Sequence, residues 1–131
     1  MILKIDFDSE QPLYTQLRDQ IVKGIAAGSL KEGESLPSVR QMAEDLGINL
    51  HTVNKAYSIL EQDGFLAMYQ RKNALVQKLP LKPDKSFLKK LPNQLKPIIA
   101  EAYCRNISEP EFIAICKDIF SSFESEVENE S

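Results

Sequence analysis

The 131 residues are 43% hydrophobic and 27% charged, the balance of an ordinary folded protein with room for one domain or a small domain plus an appendage. No apolar run approaches the roughly 18 residues of a membrane span, and the acid-bearing N-terminus has no long apolar stretch, so neither an integral membrane role nor a signal peptide is expected. Two cysteines and one histidine exclude a disulfide framework and leave little material for a metal site or a His-dependent triad, so a reduced, cytoplasmic setting with no metal or cofactor is the expectation.

Net charge is −3, which is not the basic balance expected of a nucleic-acid binder. Its distribution is more informative. From Gly64 to Pro83 there is no acid, while Arg71, Lys72, Lys78 and Lys82 are present; the last eight residues, ESEVENES, hold four glutamates and no base. That tail reads as a disordered, solubilising end.

In chain order, Leu13, Leu17, Ile21 and Ile25 recur at helical spacing, widened by Tyr14 and Val22, with Pro12 suited to the first turn and Gly28 to the stop. SLKEGESLPS follows as turn chemistry. Ser38 then opens a capping box in which Gln41 reaches back to the cap backbone, and Val39, Met42, Ala43 and Leu46 form the stripe of a short helix ending before Gly47. Asn49 suits the N-cap of a third helix whose inner face is Val53, Ala56, Tyr57 and Leu60. After Gly64 the period changes: FLAMY and ALVQK read as two strands joined by a loop at Gln70-Arg71-Lys72-Asn73.

Pro80 and Pro83 punctuate a linker, LPLKPDKS. Beyond it a fourth helix is expected from about Pro92 to Arg105, with Leu95, Ile98, Ile99 and Ala102 inward and Pro97 setting where its regular part begins. A fifth starts from the capping box at Ser108 and carries Phe112, Ile115, Cys116, Ile119, Phe120 and Phe123 on one stripe. That stripe is too broad for two lone helices to bury between themselves, and an apolar patch of such size marks an interface. The fold class is therefore mainly α with a small β hairpin, with residues 1–79 as one domain and 80–131 as linker, two-helix dimerisation region and acidic tail.

Two short helices joined by a Gly-containing turn, the second with a polar outer face, describe a helix-turn-helix, and the hairpin after them makes it winged. His51, Thr52, Asn54, Lys55 and Ser58 point away from the core residues, and none of them is acidic. These are hydrogen-bonding types suited to base edges or phosphates. Arg40 is placed to reach a phosphate or a guanine, and the helix start at Ser38 offers free N–H groups to an anion. The lone His51 has no partner at ligand spacing and is assigned to DNA; Cys104 and Cys116 are assigned to buried structural positions ahead of a redox switch.

Over residues 11–78 the chain resembles the winged-helix domain of the GntR family of bacterial transcriptional regulators. The resemblance rests on Pro12-Leu13-Tyr14, on Leu36-Pro37-Ser38-Val39-Arg40, and on Ala43-x3-Gly47-Ile48. It continues through Asn49-x2-Thr52-Val53-Asn54-Lys55-Ala56-Tyr57 and Leu60-Glu61-x-Asp63-Gly64. It implies that Arg40 touches DNA and that Asn49, His51, Thr52, Asn54 and Lys55 occupy recognition-helix positions. The short C-terminal part resembles the YtrA subfamily, which implies that the two helices form a homodimer contact and that a transporter operon is the regulated unit. One departure concerns the wing. Its tip is Arg71-Lys72-Asn73 where the family carries Gly-x-Gly, so cationic side chains, with Asn73 able to adopt a positive φ, are expected to meet the minor groove.

The combined expectation is a homodimeric repressor on an inverted-repeat operator, with double-stranded DNA and a second copy as partners and an unknown small-molecule effector as a further one. The alternative is a winged-helix protein-interaction module, supported by the acidic balance and the glycine-free wing. No acid/base pair, nucleophile with a base, phosphate loop or metal cluster supports an enzyme.

Overall fold

The computed structural model describes residues 3–69, 73–78, 81–82 and 84–130. The chain falls into two compact units, divided after Leu81. In the first, α1 (Leu13–Ala27), α2 (Val39–Leu46) and α3 (Leu50–Gln62) accompany a sheet of β1 (Ser35–Leu36), β2 (Leu66–Tyr69) and β3 (Asn73–Val76). The sheet is antiparallel in the order β1-β3-β2, with Leu36 opposite Ala74 and Met68 opposite that same Ala74 on the other side. This is the winged helix-turn-helix expected from the sequence, with one strand more. The pair Ser35-Leu36 lies in the stretch read as a turn; two residues are too few to show an alternating pattern.

The core is the set of stripes. Leu17, Ile21, Val53, Ala56, Leu60 and Ala74 are fully shielded from solvent, with Met42, Leu66 and Val76 nearly so. Gly47 (φ +66) ends α2 in the left-handed conformation, and Ile48 N donates to Ala43 O at 3.1 Å to close the turn. That closure sets the entry of α3.

The segment before α1 is held by two glutamines one helical turn apart. Gln16 accepts from Asp6 N (2.9 Å) and donates to the Asp6 and Gln11 carbonyls, while Gln20 pairs in the same manner with both main-chain groups of Lys4. Each side-chain amide thus substitutes for a neighbouring strand, and Leu3 and Ile5 pack on the core. Arg18 reaches Asp19 (3.1 Å) and Asp63 (3.6 Å) and lies over the Phe65 ring, tying α1 to the end of α3.

The second unit is α4 (Lys85–Cys104) and α5 (Glu109–Glu130). Helix α4 begins well before the expected Pro92, because Asp84 caps it by accepting from Phe87 N at 2.6 Å. Pro92 and Pro97 lie inside it, and each removes one backbone donor from the helix. At its end Asn106 (φ +63) turns the chain, with Ile107 N donating to Ala102 O and Asn106 N to Tyr103 O. Helix α5 continues through Glu130, so the tail expected to be disordered is helical; glutamate is a good helix former and nothing there breaks the helix.

The expected inward positions of α4 are mostly outward in the single chain. Leu95, Ile98 and Ile99 are exposed and only Ala102 is buried. On α5, Ile115, Ile119 and Phe120 are exposed, while Phe112, Cys116 and Phe123 are half-buried. The cysteines are likewise not buried as expected: Cys104 is exposed and Cys116 half-buried, since each sits on a helix with little of its own chain against it. Among the described residues no helix is long and apolar enough to cross a membrane.

Candidate nucleic-acid interface

Helix α3 has one face in the core and the other in solvent. Val53, Ala56, Tyr57 and Leu60 are buried, whereas Leu50, His51, Asn54, Lys55 and Ser58 are exposed and Thr52 is half-buried. No residue of the exposed set is acidic; Glu61 follows only at the far end. Asn49, assigned to DNA from the sequence, spends its Oδ1 on capping: it accepts from His51 N at 2.7 Å, leaving only its amide N–H groups free to donate.

Lys55 is held in place. Its Nζ lies 4.0 Å from the centroid of the Tyr14 ring, in the first turn of α1. A cation over an aromatic face is attracted by the ring quadrupole, by about 0.5–1 kcal/mol at an exposed site. The ammonium therefore has a preferred position, with hydrogens still free for an anion.

Arg40 stands in the first turn of α2, exposed and without an ion-pair partner among the described residues. Ser38 caps that helix by accepting from Gln41 N at 3.1 Å. The expected return contact from Gln41 is not made: its side-chain amide donates to Asp45 at 2.7 Å, a same-face neighbour one turn on. A different group fixes the approach to α2. The Tyr57 hydroxyl donates to the Pro37 carbonyl at 2.7 Å, linking the buried side of α3 to the residue before the cap. Burial pushes the Tyr57 phenol well above its ordinary range, so it remains a donor.

Sequence reading missed three residues here. Tyr14 was assigned to the apolar stripe and Tyr57 to the core, and their polar or aromatic partners lie in other elements, so spacing carried no signal. Leu50 was passed over because it is apolar. Arg71 and Lys72 lie outside the described residues. Asn73, a residue able to adopt a positive φ, is the first residue of β3, paired with Tyr69. Among the described residues there is no cluster of metal-binding side chains.

The site thus combines a cation-bearing, acid-free helix face, a guanidinium near a helix start that has no ion-pair partner among the described residues, and contacts that hold Lys55 and the approach to α2. Such a surface presents hydrogen-bond donors and positive charge suited to a polyanion. Comparison with known proteins points the same way. The profile of the family described as "Bacterial regulatory proteins, gntR family" matches residues 13–76. The HTH-type transcriptional regulator Rv1152 of Mycobacterium tuberculosis is 44% identical over 59 residues, 45% of this chain and 49% of that protein. The HTH-type transcriptional repressor YtrA of Bacillus subtilis is 32% identical over 105 residues, covering 78% of this chain and 79% of that protein. The match thus spans about half of the first relative and most of the second. Among solved structures, YtrA from Sulfolobus acidocaldarius, a GntR-family transcription factor, is 39% identical, with TM-score 0.56 over 90% of this chain and 96% of that one.

Proposed function

This chain belongs to the gntR family of bacterial regulatory proteins, and on that premise we propose that it is a homodimeric repressor that reads an inverted-repeat operator. The family and the relatives that this chain matches are transcription regulators, not enzymes. The observation that carries the finer reading is the exposed face of α3, free of acid from Leu50 to Ser58, with Lys55 fixed on Tyr14 and Arg40 without an ion-pair partner among the described residues. In this reading α3 lies in the major groove, with His51, Thr52 and Asn54 toward base edges. Arg40, Lys55 and the N–H groups after Ser38 take phosphates, and Asn49 adds its remaining amide donors. Arg71 and Lys72 take the adjoining backbone or minor groove. The net charge of −3 does not oppose this, because phosphate contacts are made by the local field.

The second unit supports the homodimer. Leu95, Ile98 and Ile99 on α4, and Ile115, Ile119 and Phe120 on α5, are exposed in one chain, with Ala102, Phe112, Cys116 and Phe123 beside them. A face of that kind is stable in water when covered, and two-fold self-association covers it with the same face of a second copy. A YtrA repressor among the relatives supports repression; that a transporter operon is the regulated unit rests on the subfamily resemblance alone. Half-sites about one helical turn apart, roughly 34–36 Å, then follow from the two-fold axis.

Selection of bound duplexes from a random pool at moderate salt tests the reading. An enriched inverted repeat is the expected result. A folded chain that enriches no sequence contradicts it.

A further inference from the structure

Large apolar side chains are scarce on the surface of the first unit. Among its described residues, only Phe7 and Leu50 are exposed. Phe7 lies in the turn preceding α1, whereas Leu50 is the first residue of α3 and is 43% exposed. Leu50 is spare to the fold in two respects. The core row of α3 is Val53, Ala56, Tyr57 and Leu60, and the cap is made by Asn49. Helical spacing sets Leu50 one turn before Asn54 and next to His51, so it borders the polar face.

An isobutyl group offers nothing to a phosphate. Among the edges that base pairs present in the major groove, one feature is apolar, the C5-methyl of thymine. The residues at the N-terminal end of a recognition helix are those that meet base edges. Against the amino or carbonyl groups of the other bases, a leucine shields a polar group from water without giving it a partner, which disfavours those bases. We propose that Leu50 is a specificity-determining residue, selecting thymine at one position of each half-site by packing on its C5-methyl. The proposal rests on the DNA-binding reading above and adds to it the identity of one base and the group that reads it.

The full chain and its Leu50→Ala variant are each used to select duplexes from a random pool. The site selected by the wild-type chain is then remade with deoxyuridine replacing each thymine in turn, which removes only the methyl group. Alanine is a good helix former, so α3 persists in the variant. At one thymine per half-site, wild-type affinity is expected to fall about fourfold, the equivalent of losing one buried methyl-sized group. Leu50→Ala is expected to bind both duplexes alike and to lose the thymine preference at that column of its own selected site. Wild-type binding unchanged at every uracil, or an equal penalty in Leu50→Ala, overturns the assignment while an enriched repeat leaves the DNA-binding reading standing. A pool in which the wild-type chain enriches nothing overturns both.

Discussion

In the first unit Leu17, Ile21, Val53 and Leu60 have no exposed surface, whereas in the second Ile98 is 57%, Phe120 71% and Tyr103 82% exposed. Both units are built from amphipathic helices with comparable apolar stripes. The first closes three helices and a sheet on a single core; the second consists of two helices. An amphipathic helix gains most of its stability from burial of its apolar face, so the first unit is complete in one chain and the second, on the proposed reading, is half of an interface. On the proposed reading that asymmetry also separates the functions: DNA contacts stand on the unit that needs no partner, and the symmetry of the operator is set by the unit that does.

The contrast breaks most sharply at Phe120. Phe120→Asp places a charge in the apolar face of α5, and association is expected to weaken by about 2 kcal/mol or more, roughly thirtyfold, as for a central interface aromatic. Light scattering reads it, and an unchanged dimer contradicts the assignment of that face. Next is Arg40→Ala, which removes an exposed cation from the complete unit. Operator affinity is expected to drop for all sequences alike, with the salt slope shallower by about one unit and the melting temperature unmoved. Wild-type affinity in that variant removes Arg40 from the interface.

A third change probes the complete unit from inside. Tyr57→Phe loses the bond to Pro37 O and is expected to destabilise the fold by about 1 kcal/mol, read by chemical denaturation. The pH dependence has a definite sign. Burial disfavours the phenolate in the folded chain, so the unfolded chain releases that proton first, and stability falls as pH rises past the ordinary phenol value near 10.0. In Tyr57→Phe that part of the alkaline decline is absent; parallel profiles contradict the burial of the hydroxyl. The smallest effect belongs to Tyr14→Leu, which frees Lys55 from its aromatic seat. Affinity is expected to fall by about 0.5–1 kcal/mol, with Tyr14→Phe close to wild type and the salt slope shallower by up to about one unit in Tyr14→Leu. Identical salt slopes in all three chains remove Tyr14 from the site.

The core of the first unit was legible because its signals are local. Ser38, Gly47 and Asn49 sit where a cap or a turn demands them, and the stripes of α1, α2 and α3 keep the helical period. Helix α4 was misread at its start for an equally local reason: Pro92 and Pro97 resemble boundaries, and the true cap, Asp84, hides between Pro83 and Lys85. Contacts between elements left no trace in the sequence. Tyr14 meets Lys55 and Tyr57 meets Pro37 only once the helices are packed, and Gln16 and Gln20 read as ordinary surface residues until the N-terminal segment lies beside them. Leu50 escaped notice for a chemical reason, since a search for hydrogen-bonding groups passes over the one base feature that an apolar side chain recognises.

The division of the chain into a complete unit and half of an interface is tested most directly by sedimentation equilibrium of the full chain across micromolar concentrations. Two chains per particle, reverting to one in Phe120→Asp, is the expected result. A single-chain mass throughout, with the fold intact, contradicts it.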